Sequence, residues 1–377
     1  MICAILSVAS LVLAQQQPGT TSVLLPVVAT QPSGKPVVDL TLANFSVESR
    51  QGVQLTGAAM VAAEAMNDPQ HTFPVFIVYD AYLFPAPVQS TISNALLQFL
   101  GDVAQHYNPV TLVANTPSGI KLIYEFGTDP KVLAEALGAL NNGSKPADAK
   151  VKEQLERLKV LKTYVPTPGS LDDQTILQFA GLNQVAPVLG RSPYRKALLW
   201  LTWNYRMGSA QNTATWTGSP SAPNKSLTKV TGSESEMYAN SIPDARFQKL
   251  PPAYEKTIAS LNAAHVSVYA LQQYDPSNTS LSINDPVQQV TVDGLRQVAA
   301  CTGGFSVKDY RHTTVAQAIE QVRTDFGPYY MLTVTPGESK KTEWVPVTVK
   351  VNQETVTLRS APGFLALSPS AEKLAAK

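Results

Sequence analysis

The sequence predicts an α/β protein: a doubly wound, mainly parallel sheet plus a small β module built from both terminal segments. Three observations point there. Phe73-Pro-Val-Phe-Ile-Val-Tyr-Asp80 is an apolar run ending in a carboxylate, the pattern of a buried parallel strand that delivers Asp80 to the carboxyl edge of a sheet. From residue 72 to 325 strand-like and helix-like signals alternate. Both chain ends alternate apolar and polar residues at period two, yet neither end has enough strands to complete a sheet.

At the amino end, Val23–Ala29 reads as a strand, followed by the turn Gln31-Pro-Ser-Gly-Lys-Pro36 and by short strands at Val37–Leu40 and Phe45–Glu48. At the carboxyl end Tyr330–Val334, Trp344–Val351 and Glu354–Arg359 alternate in the same way. The expected organisation is therefore residues 22–71 and 326–366 in a terminal β module and 72–325 in the α/β domain. No internal repeat is visible.

Within the α/β region the Asp80 strand precedes a helix over Val88–His106, whose Ile92, Leu96, Leu97, Leu100 and Val103 form one stripe. Val110–Ala114 and Ile120–Phe126 flank Pro117-Ser-Gly119 as a hairpin. Asp129-Pro130 is a cap and first residue of the next helix. A polar helix covers Lys145–Tyr164, and another begins at Leu171, with Ser170 and Asp173 suited to its start. Lys196–Thr202 is a second buried strand, and the Ser/Thr/Asn/Gly/Pro-rich stretch 209–244 a long loop. A helix over Pro252–Ala264, a strand over Val266–Leu271 and helices over Val287–Ala300 and Val315–Arg323 complete about six strands. Near-continuous apolar runs place the Asp80, Lys196 and Val266 strands at the centre of the sheet.

Composition narrows the function. The 377 residues suffice for a large core and two domains at ~150 residues each. An apolar content of 44% with 15% charged residues describes a folded chain, and a net charge of +1 without a basic stripe gives no basis for nucleic-acid binding. Residues 1–14 carry an apolar core closed by Val12-Leu13-Ala14, the pattern of a cleaved export signal without a basic start; an ordinary buried strand or helix is the other reading. The segment is shorter than the roughly 20 residues that span a bilayer, and no other long apolar run exists. The expected setting is periplasmic or extracellular, with no stable membrane insertion after signal cleavage. Cys3 lies in that signal, which leaves Cys301 alone and allows no internal disulfide.

Catalytic motifs are missing. There is no Gly-x-Ser-x-Gly, His-Glu-x-x-His or Cys-x-x-Cys, and His71, His106, His265 and His312 have no ligand spacing. Gly138–Lys145 has the look of a phosphate loop, but its Ser and Lys are transposed and no strand precedes it. No catalytic residue and no cofactor are expected, and the chain reads as a non-enzyme.

Six segments, in order, carry a family resemblance: Gly34–Phe45, Lys121–Pro130, Arg195–Leu201, Leu261–Tyr269, Thr302–Phe305, and the ending formed by Tyr329–Leu332 with Arg359–Phe364. Across almost its whole length the chain resembles bacterial exported proteins with the acidobacterial-type von Willebrand factor A-related domain. The resemblance implies a von Willebrand A-like fold and an extracytoplasmic setting, and no activity. In A domains a divalent cation is held by an Asp-x-Ser-x-Ser loop, a Thr in a second loop and an Asp after the fourth strand. Here Tyr82 and Phe84 occupy the serine positions and Trp203 the second aspartate position, so the metal-ion-dependent adhesion site is degenerate and no bound metal is expected. Asn115, Thr116, Thr202 and Asn204 offer only neutral oxygens. Asp80 then caps the helix near Pro87 or bonds backbone amides.

The same edge gathers Tyr79, Tyr82, Phe84, Trp200, Trp203 and Tyr205. Two readings stay open: exposed anchors for a partner, or side chains packed beneath the long loop. The candidate binding rim is Asp80, Tyr82, Phe84, Thr116, Thr202, Trp203 and Asn204. The implied function is an exported protein-binding or adhesion-type module whose partner is another protein or an envelope component. A structural or assembly subunit of an envelope complex is the alternative.

Overall fold

The computed structural model describes residues 22–49, 52–61, 75–84, 86–106, 109–163, 171–190, 195–202, 252–272, 295, 298–307, 314–325, 327–336 and 343–366. The expected export signal, the 209–244 loop, Trp203, Asn204, Tyr205 and most of the expected 287–300 helix lie outside them.

A five-stranded sheet forms the centre of the α/β part. Its strands are β4 (Val75–Asp80), β5 (Val110–Thr116), β6 (Gly119–Tyr124), β7 (Lys196–Thr202) and β8 (Val266–Gln272), in the order β6-β5-β4-β7-β8. The β5-β4-β7-β8 pairings are parallel, and only the hairpin strand β6 is antiparallel. Strand parity sorts the side chains. Ile77, Tyr79, Leu112, Leu199, Leu201 and Tyr269 join a core on one face, beneath α1 (Ala86–Gln105), α2 (Pro130–Asn142), α3 (Ala149–Lys162) and α6 (Val315–Asp325). Val78, Val113, Leu198, Trp200, Val268 and Ala270 join a second core on the other face, beneath α4 (Leu171–Leu189) and α5 (Pro252–Ala263). Helices on both faces explain why these strands are apolar throughout.

Local chemistry starts the helices. Asp129 accepts from the Lys131 amide at 2.9 Å with Pro130 at the first position, and Asp148 caps α3 through the Lys150 and Val151 amides.

One expectation needs correcting. Among the described residues the Val266 strand, β8, ends this sheet rather than lying at its centre, and five strands are seen where about six were expected. Its outer side is covered by residues 305–307, where Ala270 donates to the Phe305 carbonyl at 3.2 Å and accepts from Val307 at 2.9 Å. Hydrophobicity reports what covers the faces of a strand. It carries no information on how many neighbours the strand has in the plane.

The two chain ends share sheets. β1 (Val23–Thr30) lies between β9 (Tyr329–Thr335) and β12 (Thr357–Ser360), and β3 (Gln54–Val61) lies outside β9, giving the order β12-β1-β9-β3. The expected single strand Trp344–Val351 is divided at Pro346. β10 (Glu343–Pro346) pairs with β13 (Gly363–Ala366), and β11 (Thr348–Val351) pairs with β2 (Phe45–Glu48). Proline cannot donate to a ladder, so the strand changes partner there. Leu25, Val27, Phe45, Tyr330, Leu332, Val345 and Phe364 form the core of this β part.

Candidate functional site

Asp80 ends β4 and is completely buried. By parity it points with Val78 toward α4, and Asn115, Trp200 and Thr202 reach the same face from the ends of β5 and β7. One carboxylate oxygen accepts from Asn115 Nδ2 at 2.9 Å and the other from Trp200 Nε1 at 2.7 Å. Gln178 of α4 donates through Nε2 to Thr202 Oγ1 at 2.5 Å, while Asn115 Nδ2 also reaches the Leu177 carbonyl at 3.2 Å. Helix α4 lies very close here: a Cβ placed on Gly181 would overlap the Asn115 amide.

Burial pushes the Asp80 carboxyl up to about 6, against the pull of hydrogen bonds from Thr202, Asn115, Trp200 and Gln178. Burial, together with the Asp80 charge, raises Tyr82, and burial raises Tyr79 to about 12. Asp80, Tyr79 and Tyr82 are all buried, and both Asp80 oxygens accept N–H groups.

The sequence-based rim is corrected at several points. Tyr82 and Phe84 are buried, with Phe84 stacked on Tyr79 at 5.4 Å, so neither is an exposed anchor. Thr116 closes the β5–β6 hairpin by donating to the Gly119 carbonyl at 2.7 Å, and does not join Asp80. Thr202 does join it. Among the described residues Asp80 is held by side chains rather than by backbone amides: Asn115 and Trp200 on neighbouring strands, with Thr202 and Gln178 beside them. Gln178 and Gly181 escaped sequence reasoning, since nothing in a helical pattern marks which residue lies above a distant carboxylate.

The cation of an A-domain site does not fit these residues. A magnesium-type ion needs several hard oxygen ligands, and here one carboxylate, which already accepts an N–H at each oxygen, stands among amide and hydroxyl groups. Gln178 Oε1 is a buried oxygen without a partner among the described residues, but one amide oxygen cannot offset dehydration of a divalent ion. Among the described residues no three His, Cys, Asp or Glu side chains converge.

A second polar cluster joins the α/β part to the β part. Arg195 donates to Ser267 Oγ at 2.9 Å, to Tyr269 Oη at 2.7 Å and to Asp325 Oδ2 at 2.9 Å. Arg359 of β12 pairs with the same carboxylate, donates to the Gly303 carbonyl at 3.1 Å and lies over the Phe305 ring. The Tyr269 hydroxyl also donates to Asp325.

No family model and no curated protein matches the chain. Among solved structures it is similar to the human COPII-coat protein Sec24c, at 8% identity and a TM-score of 0.34, covering 84% of this chain and 46% of that one. It is also similar to the ArnB paralog VWA2 from Sulfolobus acidocaldarius, at 8% identity and a TM-score of 0.27, covering 94% and 78%. The chain thus spans about half the length of the first, and neither likeness carries weight for the site. The strand order and the two helical layers define a mixed α/β protein with a parallel central sheet, compatible with a von Willebrand A-like fold.

Proposed function

We propose that the protein is an exported, non-catalytic protein-binding module of the adhesion type, in which the metal-ion site has become a buried structural post. One observation carries this reading: Asp80 is sealed under α4 with both oxygens held by Asn115 and Trp200. Among the described residues, a ligand bridged through a cation, as in metal-dependent adhesion, would find no exposed carboxylate at this site. Recognition then belongs to other surfaces, and the partner is another protein or an envelope component. The apolar amino-terminal segment supports export to the periplasm or the extracellular space. The near-zero net charge does not favour nucleic acid.

A second reading, a structural or assembly subunit of an envelope complex, draws support from the burial of Tyr82, Phe84 and Trp200. It gives the aromatic residues a packing role and no partner of their own.

The test is the melting temperature with and without millimolar magnesium or manganese. Ligand at 100 times its dissociation constant stabilises by about 2.7 kcal/mol, so binding would be visible. No shift is expected. A reproducible shift abolished by Asp80→Ala would restore metal-dependent adhesion and overturn the proposal.

A further inference from the structure

We propose that Asn142 is a self-modification site: attack by the Gly143 amide nitrogen converts its side chain to a carboxylate, and the cap of α2 sets the rate. The stretch Gly138–Lys145, which is no phosphate loop, holds the one Asn-Gly pair of the chain. Asn142 is the last residue of α2, and Gly143 caps that helix in the left-handed region at φ 65°. Both residues are exposed, and a Cβ built on Gly143 would meet nothing within 4 Å. Closing the new bond makes a five-membered ring within one chain, and no side chain at position 143 stands in the way.

The step balances with water as the co-reactant. The Gly143 nitrogen bonds to Cγ of Asn142, the Cγ–Nδ2 bond breaks, and the Gly143 proton leaves with Nδ2 as ammonia. The imide that results takes up one water. Opening at Cγ leaves aspartate at position 142, and opening at the main-chain carbonyl leaves isoaspartate. Nothing is oxidised or reduced.

The fold opposes the first bond. The Gly143 N–H donates to the Ala139 carbonyl, and the Ser144 N–H reaches the same carbonyl at 3.2 Å. The reaction consumes the Gly143 proton, so it waits for the last turn of α2 to open. Once complete, it disfavours closing. A carboxylate then stands at the negative end of the helix dipole, and isoaspartate adds a carbon to the backbone. The change falls at the corner between α2 and α3, two helices packed on each other, just before the Asp148 cap that starts α3.

Peptide mass spectrometry with isoaspartyl methyltransferase labelling, on the full chain kept near neutral pH either folded or in urea, tests this. Position 142 should convert in both states, about tenfold more slowly in the folded chain. Gly138→Ala adds a methyl that meets nothing within 4 Å and strengthens the same end of the helix. The folded rate should fall about threefold further, with the rate in urea unchanged. Asn142→Gln should remove the label from this position in both states. A folded chain that stays unconverted at position 142 while the chain in urea converts would overturn the site. Equal rates in the two states, or a folded rate that Gly138→Ala leaves unchanged, would overturn control by the cap.

Discussion

Asp80 shows how burial and hydrogen bonding divide control of one carboxyl group. Its folded value of about 6 exceeds its ordinary 3.8, because burial outweighs the donors around it. Between these values the unfolded chain has released its proton and the folded chain retains it, so stability falls as pH rises from about 4 to 6 and is level above. Trp200→Phe removes the N–H that holds one ionised oxygen at 2.7 Å. The expected extra cost is about 1.5–3 kcal/mol at pH 7.5, and clearly less at pH 4, where Asp80 is protonated. Urea unfolding at the two pH values checks this; an equal loss at both would mean that the indole contributes packing alone. Asp80 itself was legible in the sequence, as the carboxylate ending an apolar run. The fate of Tyr82 and Phe84 was not, because an aromatic beyond a strand end has the same sequence signature whether it meets solvent or is covered.

Helix α4 was also legible as an element, starting at Leu171, but its reason for lying where it does was not. Gly181 lets the helix backbone approach the Asn115 amide, and through it Asp80. That contact joins two elements distant in sequence, and no periodicity encodes it. Gly181→Ala should destabilise by about 1–3 kcal/mol, since the new methyl must displace a buried amide held by two hydrogen bonds. In an Asn115→Ala background the same change should cost much less, because the atoms it strikes are gone. Denaturant midpoints for the four proteins complete the cycle. Strict additivity would show that Gly181 is merely a flexible position in the helix. The edge position of β8 teaches the same lesson in the sheet plane: Ala270, apolar and buried, finds its outer hydrogen bonds in residues 305–307, not in a regular strand.

At the scale of the molecule, the strand-like patterns at both ends pointed to partners that neither end could supply locally, and β1 lies between two strands from the carboxyl end. The ionic cluster beneath them left no trace in the sequence, since Arg195, Asp325 and Arg359 sit on three separate segments and follow no shared motif. Asp325 is the carboxylate that both guanidiniums share: Arg195 precedes β7 in the α/β sheet, and Arg359 lies on β12 in the β part. Burial, with the charge of Arg195, pushes Arg359 down to about 10, so it still carries a full charge at neutral pH. The buried Arg195 and the largely covered Arg359 face one anion, and removing one partner of a buried pair costs far more than the pair contributes on its own. Asp325→Asn keeps the shape and removes the charge. It should lower stability by about 3–5 kcal/mol, read by calorimetry, because the β part and the α/β sheet lose the anchor they share. A loss below about 1 kcal/mol would place the cluster among the surface pairs that contribute little.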